Sequence, residues 1–180
     1  MPLALEAVLV ILLAERALEL VLDHRNVRWL RERGARFASD DGFPLILSGQ
    51  FVLFAGTAIE GTLAPWASVG AWTWIGVALL ALAQGTRYWA IATLGRRWSV
   101  RVATLPGAPR IARGPYRFVP HPNYAAVALE AIALPFAFHA WLTLALGGAL
   151  NLVAIARRIG REERALAANE ALHDDAAGRA

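Results

Sequence analysis

The sequence contains no cysteine, which excludes a disulfide framework, a thiolate nucleophile and a cysteine-ligated metal. Lysine is absent as well, so all 18 basic residues are arginine and neither a Schiff-base amine nor a P-loop lysine is available. The four histidines, His24, His121, His139 and His173, are scattered without metal-ligand spacing. No Gly-x-Gly-x-x-Gly follows a strand pattern, which argues against a Rossmann-type nucleotide site. Internal repeats and low-complexity tracts are missing too, and charged residues make up only 18% of the chain.

What remains is apolar. Hydrophobic residues account for 57% of 180 positions and seven are tryptophan, the composition of an integral membrane protein. The expected fold is all-α, one domain over residues 1–172 with a frayed tail over 173–180. Five membrane spans are predicted, over 3–22, 43–63, 71–91, 123–138 and 141–156, since about 20 apolar residues cross a bilayer and the last two can form a shorter, tilted hairpin. The first span lacks a basic leader and contains Glu6, Glu15, Arg16 and Glu19, so it reads as a retained helix and not a cleaved signal. Its carboxylates are expected to face other helices. The basic segment 23–41 reads as a helix in the membrane interface or as a solvated loop. Pro65-Trp66 marks a turn at the surface, and the charged stretch from Arg157 continues helically to about Leu172.

A net charge of +4 would suggest nucleic acid in a soluble chain. Here the loop arginines fall in 25–36, 96–117 and the C-terminal segment, and the N-terminus and the 61–70 turn have none. The positive-inside rule makes this a topology signal, with the N-terminus outside, the C-terminus in the cytoplasm and no nucleic-acid partner. Two polar clusters then share the cytoplasmic face.

The first cluster runs from Arg113 to Tyr124 and holds three prolines, two tyrosines, two arginines and a histidine between apolar segments. Pro120 and Pro122 push Val119 and His121 toward extended backbone, and a helix can start at Pro122. In the second cluster, Arg158 and Glu162 are four residues apart and share a helix face with Asn151 two turns upstream. That stripe is either a solvated ion pair or the wall of a cavity. Glu130, two turns into the helix after His121, costs roughly 2.5 to 3.5 kcal/mol if ionised at mid-bilayer. It reads as a structural partner of Arg87 or Asn151, or as a proton acceptor. His121 reads as a helix cap, a general base or a cofactor contact. Trp98, Tyr116, Phe118 and Tyr124 suit either an interfacial aromatic belt or a flat, cationic ligand.

The motifs Gly114-Pro115-Tyr116, His121-Pro122-Asn123-Tyr124 and Arg158-x-x-x-Glu162-Glu163-x-x-Leu166 resemble the isoprenylcysteine carboxyl methyltransferase family of integral membrane enzymes, over a catalytic core of about 87–166. Arg87-Tyr88-Trp89, Leu94-Gly95, Trp98, Pro106-Gly107 and the short tail look most like small bacterial members that O-methylate alkylpyrones. The resemblance implies an S-adenosylmethionine-dependent methyltransferase of the bacterial inner membrane acting on a lipophilic acceptor. Its cofactor contacts carry over to Ile111, Tyr116, His121, Pro122, Asn123, Tyr124 and Glu162, and its acceptor-binding arginine to Arg158, with Asn151 on the same helix stripe. Read from the chemistry of the residues, the catalytic candidates are Arg158, which would favour the acceptor oxyanion, and Glu130 or His121, either of which could accept a proton from a neutral acceptor. The family's arginine before the histidine is Pro120 here, and the cation is then expected from Arg117 or Arg113. Two other readings stay open at this point: a sterol-reductase-like membrane enzyme using NADPH, and a non-enzymatic helical scaffold.

Overall fold

The structure, a computed structural model, describes residues 3–39, 41–63 and 69–177. Within them the chain forms helices α1 (Leu3–Glu32), α2 (Phe43–Leu63), α3 (Ala71–Leu94), α4 (Pro122–Ala137) and α5 (Trp141–Ala177). Between them lie 3-10 turns at Gly95–Arg97 and Gly114–Arg117 and two-residue strands β1 (Arg36–Phe37) and β2 (Ala103–Thr104). The turn expected at Pro65-Trp66 lies outside the described residues, as do 178–180.

Among the described residues, three helical stretches are long and apolar enough to cross a membrane: Phe43–Leu63, Ala71–Arg97 and Trp141–Asn169. α1 is long but charged along its length, and α4, at 16 residues, rises only about 24 Å. Two boundaries differ from the sequence expectation. α1 does not stop at 22 but runs to Glu32, because nothing between Asp23 and Glu32 breaks a helix; Gly34, at φ +72°, then ends it with the Ala35 amide donating to Leu30 O at 3.0 Å. α5 continues from the predicted span into the charged helix as expected, but ends at Ala177 and not near Leu172.

α4 packs along α3, and the crossing depends on Gly76, where a Cβ would come 2.6 Å from Ala137 Cα. α2 packs on α5 through Asn151, whose side-chain amide donates to Gly49 O at 2.8 Å and to Gly147 O at 2.9 Å. Glu60 of α2 accepts from the Leu142 and Thr143 amides at 2.8 Å each, which satisfies two free donors at the start of α5. Leu5, Leu9, Leu12, Leu53, Leu80, Leu134 and Phe138 fill the core. Val10, Ile11, Phe51, Ile59, Leu82 and Leu146 are exposed and clothe the outside in hydrocarbon, as a lipid-facing bundle requires.

At one end of the bundle the connector between α3 and α4 folds back on α1. Asp23 accepts from Ser99 Oγ at 2.9 Å and from the Val100 amide at 2.7 Å, and Asn26 donates to Trp98 O at 2.8 Å. β1 and β2 pair antiparallel, Arg36 with Thr104 and Phe37 with Ala103. The arginine-rich segments 25–36 and 96–117 thus meet at one end, as the charge pattern anticipates. Gly76→Val should overpack the α3–α4 crossing and cost about 1 to 3 kcal/mol, read as a lower thermal midpoint in detergent; an unchanged midpoint would contradict the close approach.

Candidate functional site

The proline corner determines where α4 begins. Gly114 sits at φ +59°, a conformation that favours glycine, and the 3-10 turn after it is closed by the Phe118 amide on Pro115 O at 3.1 Å. His121 is the residue before α4, with φ −130° and ψ 66°, and Pro122 is the first helical residue.

This corner, the connector and the charged half of α5 enclose a cavity of about 510 Å³, within the roughly 300 to 1,000 Å³ usual for small-molecule sites. Its wall includes Ile111, Tyr116, Pro120, His121 and Glu162, with Leu30 from α1 and Leu166 and Asn169 further along α5. Arg97 and Arg110 are the cations on that wall. Arg97 donates to Pro109 O at 2.8 Å.

Behind the wall, Tyr124 joins the two polar clusters. Its phenol donates to Glu162 Oε2 at 2.5 Å and accepts from Arg158 Nε at 2.9 Å. Arg158 is buried and also donates to Asp41 O at 3.4 Å and to Val100 O. Asp41 in turn accepts from the Phe43 amide at 3.0 Å and pairs with Arg101. His121 Nε2 lies 2.5 Å from Glu163 Oε1, which also takes Arg110, and His121 Nδ1 lies 3.8 Å from Glu162. Burial pushes the Tyr116 phenol up, and the nearby Glu162 carboxylate adds to the shift, so Tyr116 stays protonated and neutral at physiological pH. Burial also pushes the Asp41 carboxyl up, but hydrogen bonds from Arg101 and the Phe43 amide outweigh it and hold it below the usual carboxylate range.

Of the residues singled out in the sequence, Ile111, Tyr116, His121 and Glu162 line the cavity, and Tyr124 and Arg158 stand directly behind it. Pro122 is buried beneath. Asn123 Oδ1 is enclosed without a hydrogen-bond partner. Glu130 and Asn151 do not line the cavity: Asn151 holds α5 to α2, and Glu130 belongs to a separate charged cluster within the bundle. There Arg87 makes two hydrogen bonds to Glu19, at 2.5 and 2.6 Å, and lies 3.8 Å from Glu130. Arg16 lies 2.9 Å from Glu19 and 3.6 Å from Glu130. The arginines that share the cavity wall with Pro120 are Arg97 and Arg110; Arg113 and Arg117 do not line it, and the Arg117 guanidinium lies 4.3 Å over the Phe118 ring.

Sequence reasoning missed Glu163 as the partner of His121, although it sits inside the C-terminal motif. It also missed Arg110, Arg97 and Asp41, which only the fold brings to the site. Arg16 and Glu19 carried a signal, an opposite-charge pair three residues apart in an apolar run.

The arrangement defines a helical membrane protein with a polar, aromatic-edged chamber at one end of its bundle. A model of the isoprenylcysteine carboxyl methyltransferase family matches residues 74–168, and the chain belongs to that family. It is 32% identical over 157 residues to an uncharacterized protein, YpbQ, of Bacillus subtilis (strain 168), covering 87% of this chain and 92% of that one. No solved structure matches. Membership makes the protein an integral membrane methyltransferase of a family that uses S-adenosylmethionine.

The chamber fits that cofactor on its own chemistry. On its wall Glu162 is an anion of the kind an ammonium group needs, and Tyr116 is an aromatic face of the kind a sulfonium tolerates.

Two predictions concern the frame around this site. Glu19→Ala would strip Arg87 of its two hydrogen bonds and leave Glu130 facing two guanidinium groups, Arg16 and Arg87, and should cost about 3 to 5 kcal/mol, against no measurable change for the exposed Glu6→Ala, both read by thermal unfolding. Because the folded-state pKa of Asp41 is depressed, its contribution is full above the unfolded value, about 3.9, and is lost as pH falls through the folded value. Asp41→Asn should therefore flatten the acid limb of the stability profile; an unchanged limb would show that Asp41 is not the group responsible.

Proposed function

We propose that the protein transfers the methyl of S-adenosylmethionine to an acidic oxygen on a lipophilic acceptor, an enol or phenol of an alkylpyrone-type lipid or a carboxylate, at the cytoplasmic face of the bacterial inner membrane. The observation that carries this reading is the placement of Tyr116, His121 and Glu162 on one cavity wall at the arginine-rich end of the bundle. The arginine distribution supports a cytoplasmic position for that end and an external N-terminus.

When bound, the cofactor supplies an electrophilic methyl on a sulfonium centre. The protein's part is to hold, orient and exclude water. Glu162 binds the ammonium group, kept in register by the Tyr124 hydroxyl. Tyr116 offers its ring. Ile111 provides an apolar wall, and Pro122 and Asn123 set the corner from which His121 projects. Arg158 has five N–H donors; three are engaged by Tyr124, Asp41 O and Val100 O, which leaves one on each terminal nitrogen for the acceptor oxyanion. His121 is a group on the wall that can take a proton if the acceptor arrives neutral, and its contact with Glu163 at 2.5 Å holds the ring in place. Glu130 is assigned to holding the bundle together, since it lies among Arg16 and Arg87 and off the wall.

Equilibrium binding of labelled S-adenosylmethionine to the detergent-purified protein tests the reading. Wild type should bind, and Glu162→Ala and Tyr116→Ala should each weaken binding by roughly tenfold or more while the protein stays folded. Binding of NADPH in place of S-adenosylmethionine would favour the reductase alternative and overturn the proposal.

A further inference from the structure

A second concavity, of about 450 Å³, opens where α1 leaves the apolar part of the bundle, lined in part by Leu22, Arg25, Arg28, Trp29 and Arg96. It shares no lining residue with the larger cavity. We propose that it binds the phosphate headgroup of an anionic phospholipid, whose acyl chains lie along the exposed side of α1.

Three observations carry this. First, arginines from two separate elements are built toward one space. Arg25 and Arg28 stand three apart on one face of α1, and Arg96 comes from the Gly95–Arg97 turn. That turn is pinned across from them by the Asn26 side chain, which donates to Gly95 O at 3.3 Å and Trp98 O at 2.8 Å. Second, these cations are free. Arg25, Arg28 and Arg96 are exposed and make no ion pair with any described residue. Glu32, the one carboxylate lining the cleft, lies 3.9 Å from Arg33, and Arg33 in turn lies 4.1 Å over the Trp29 ring. Third, the helix stripe changes character as a lipid does. Leu18, Val21 and Leu22, all exposed, share the face that continues into Arg25 and Arg28, so hydrocarbon passes into cation within two turns. Trp29 then sits at the level where aromatic rings favour the membrane interface.

A free phosphate would need only the three arginines, whereas the contiguous leucine and valine surface commits the site to a lipid. Basic clefts at the cytoplasmic ends of membrane helices suit such headgroups, and each arginine near an anionic surface adds to the attraction.

The test is lipid titration of the full chain in detergent, followed by native mass spectrometry, with phosphatidylglycerol, phosphatidylcholine and inorganic phosphate as probes. Phosphatidylglycerol should be retained in preference. The combined variant Arg25→Gln, Arg28→Gln, Arg96→Gln should lose at least about tenfold in affinity, while Arg36→Gln with Arg113→Gln, which remove exposed charge outside the cleft, should bind as wild type. Should the triple variant fail to fold, Arg28→Gln alone should weaken binding by a measurable fraction of that loss. Equal loss in the control variant would reduce the effect to diffuse charge, equal retention of phosphatidylcholine would remove the selectivity for an anion, and competition by inorganic phosphate at matched concentration would make this a free-anion site. Any of these overturns the proposal.

Discussion

Arg87 meets Glu19 through two hydrogen bonds inside an otherwise apolar bundle, with Arg16 and Glu130 completing the charge balance. None of the four would be tolerated alone in hydrocarbon. Because they come from α1, α3 and α4, their mutual requirement sets the rotation of three helices at once. Asn151 does the same for α5 against α2 by taking a backbone carbonyl from each. Apolar packing alone specifies helix rotation weakly in lipid, where side chains are equally content facing neighbours or solvent. Polar pins supply that specificity.

With α4 fixed, the corner before it is fixed, and so is the chamber. Tyr124, three residues into the turn from His121, reaches both Glu162 and Arg158 on α5. Arg158 then ties the same point to the backbone at Asp41 and Val100. A single phenol therefore joins the two motifs that lie almost forty residues apart in sequence, and the connector is held over the cavity by contacts from α1, α5 and the 41 corner together. Preorganisation of this kind matters for methyl transfer, in which the protein contributes position and the exclusion of water more than covalent chemistry.

The helical architecture was largely legible because hydrophobic runs and proline positions are local signals. α2 spans 43–63 as expected, and α4 begins at Pro122 because proline suits a first helical turn and forbids an earlier one. The end of α1 was misjudged because a change from apolar to charged residues marks a membrane boundary, not a helix boundary, and Asp23 does not stop a helix; α5 does continue through Arg157 as expected and runs past 172 to Ala177. The β1–β2 pair, two residues on each side, carries no periodicity and exists only because the connector folds onto α1. Among site residues, those within the two motifs were readable, whereas Arg97, Arg110 and Asp41 reach the chamber only through tertiary packing. Glu130 shows the limit of cost arguments, since a buried carboxylate advertises a partner without saying whether the partner is substrate or helix.

The central claim is that the chamber bounded by Tyr116, His121 and Glu162 holds S-adenosylmethionine. The most direct measurement is an experimental structure of the protein saturated with S-adenosylhomocysteine in a lipid nanodisc. The account predicts ligand density in that chamber, with its ammonium group against Glu162 and Pro120 on the same wall. Ordered density elsewhere in the molecule, or an empty chamber at saturating ligand, would contradict it.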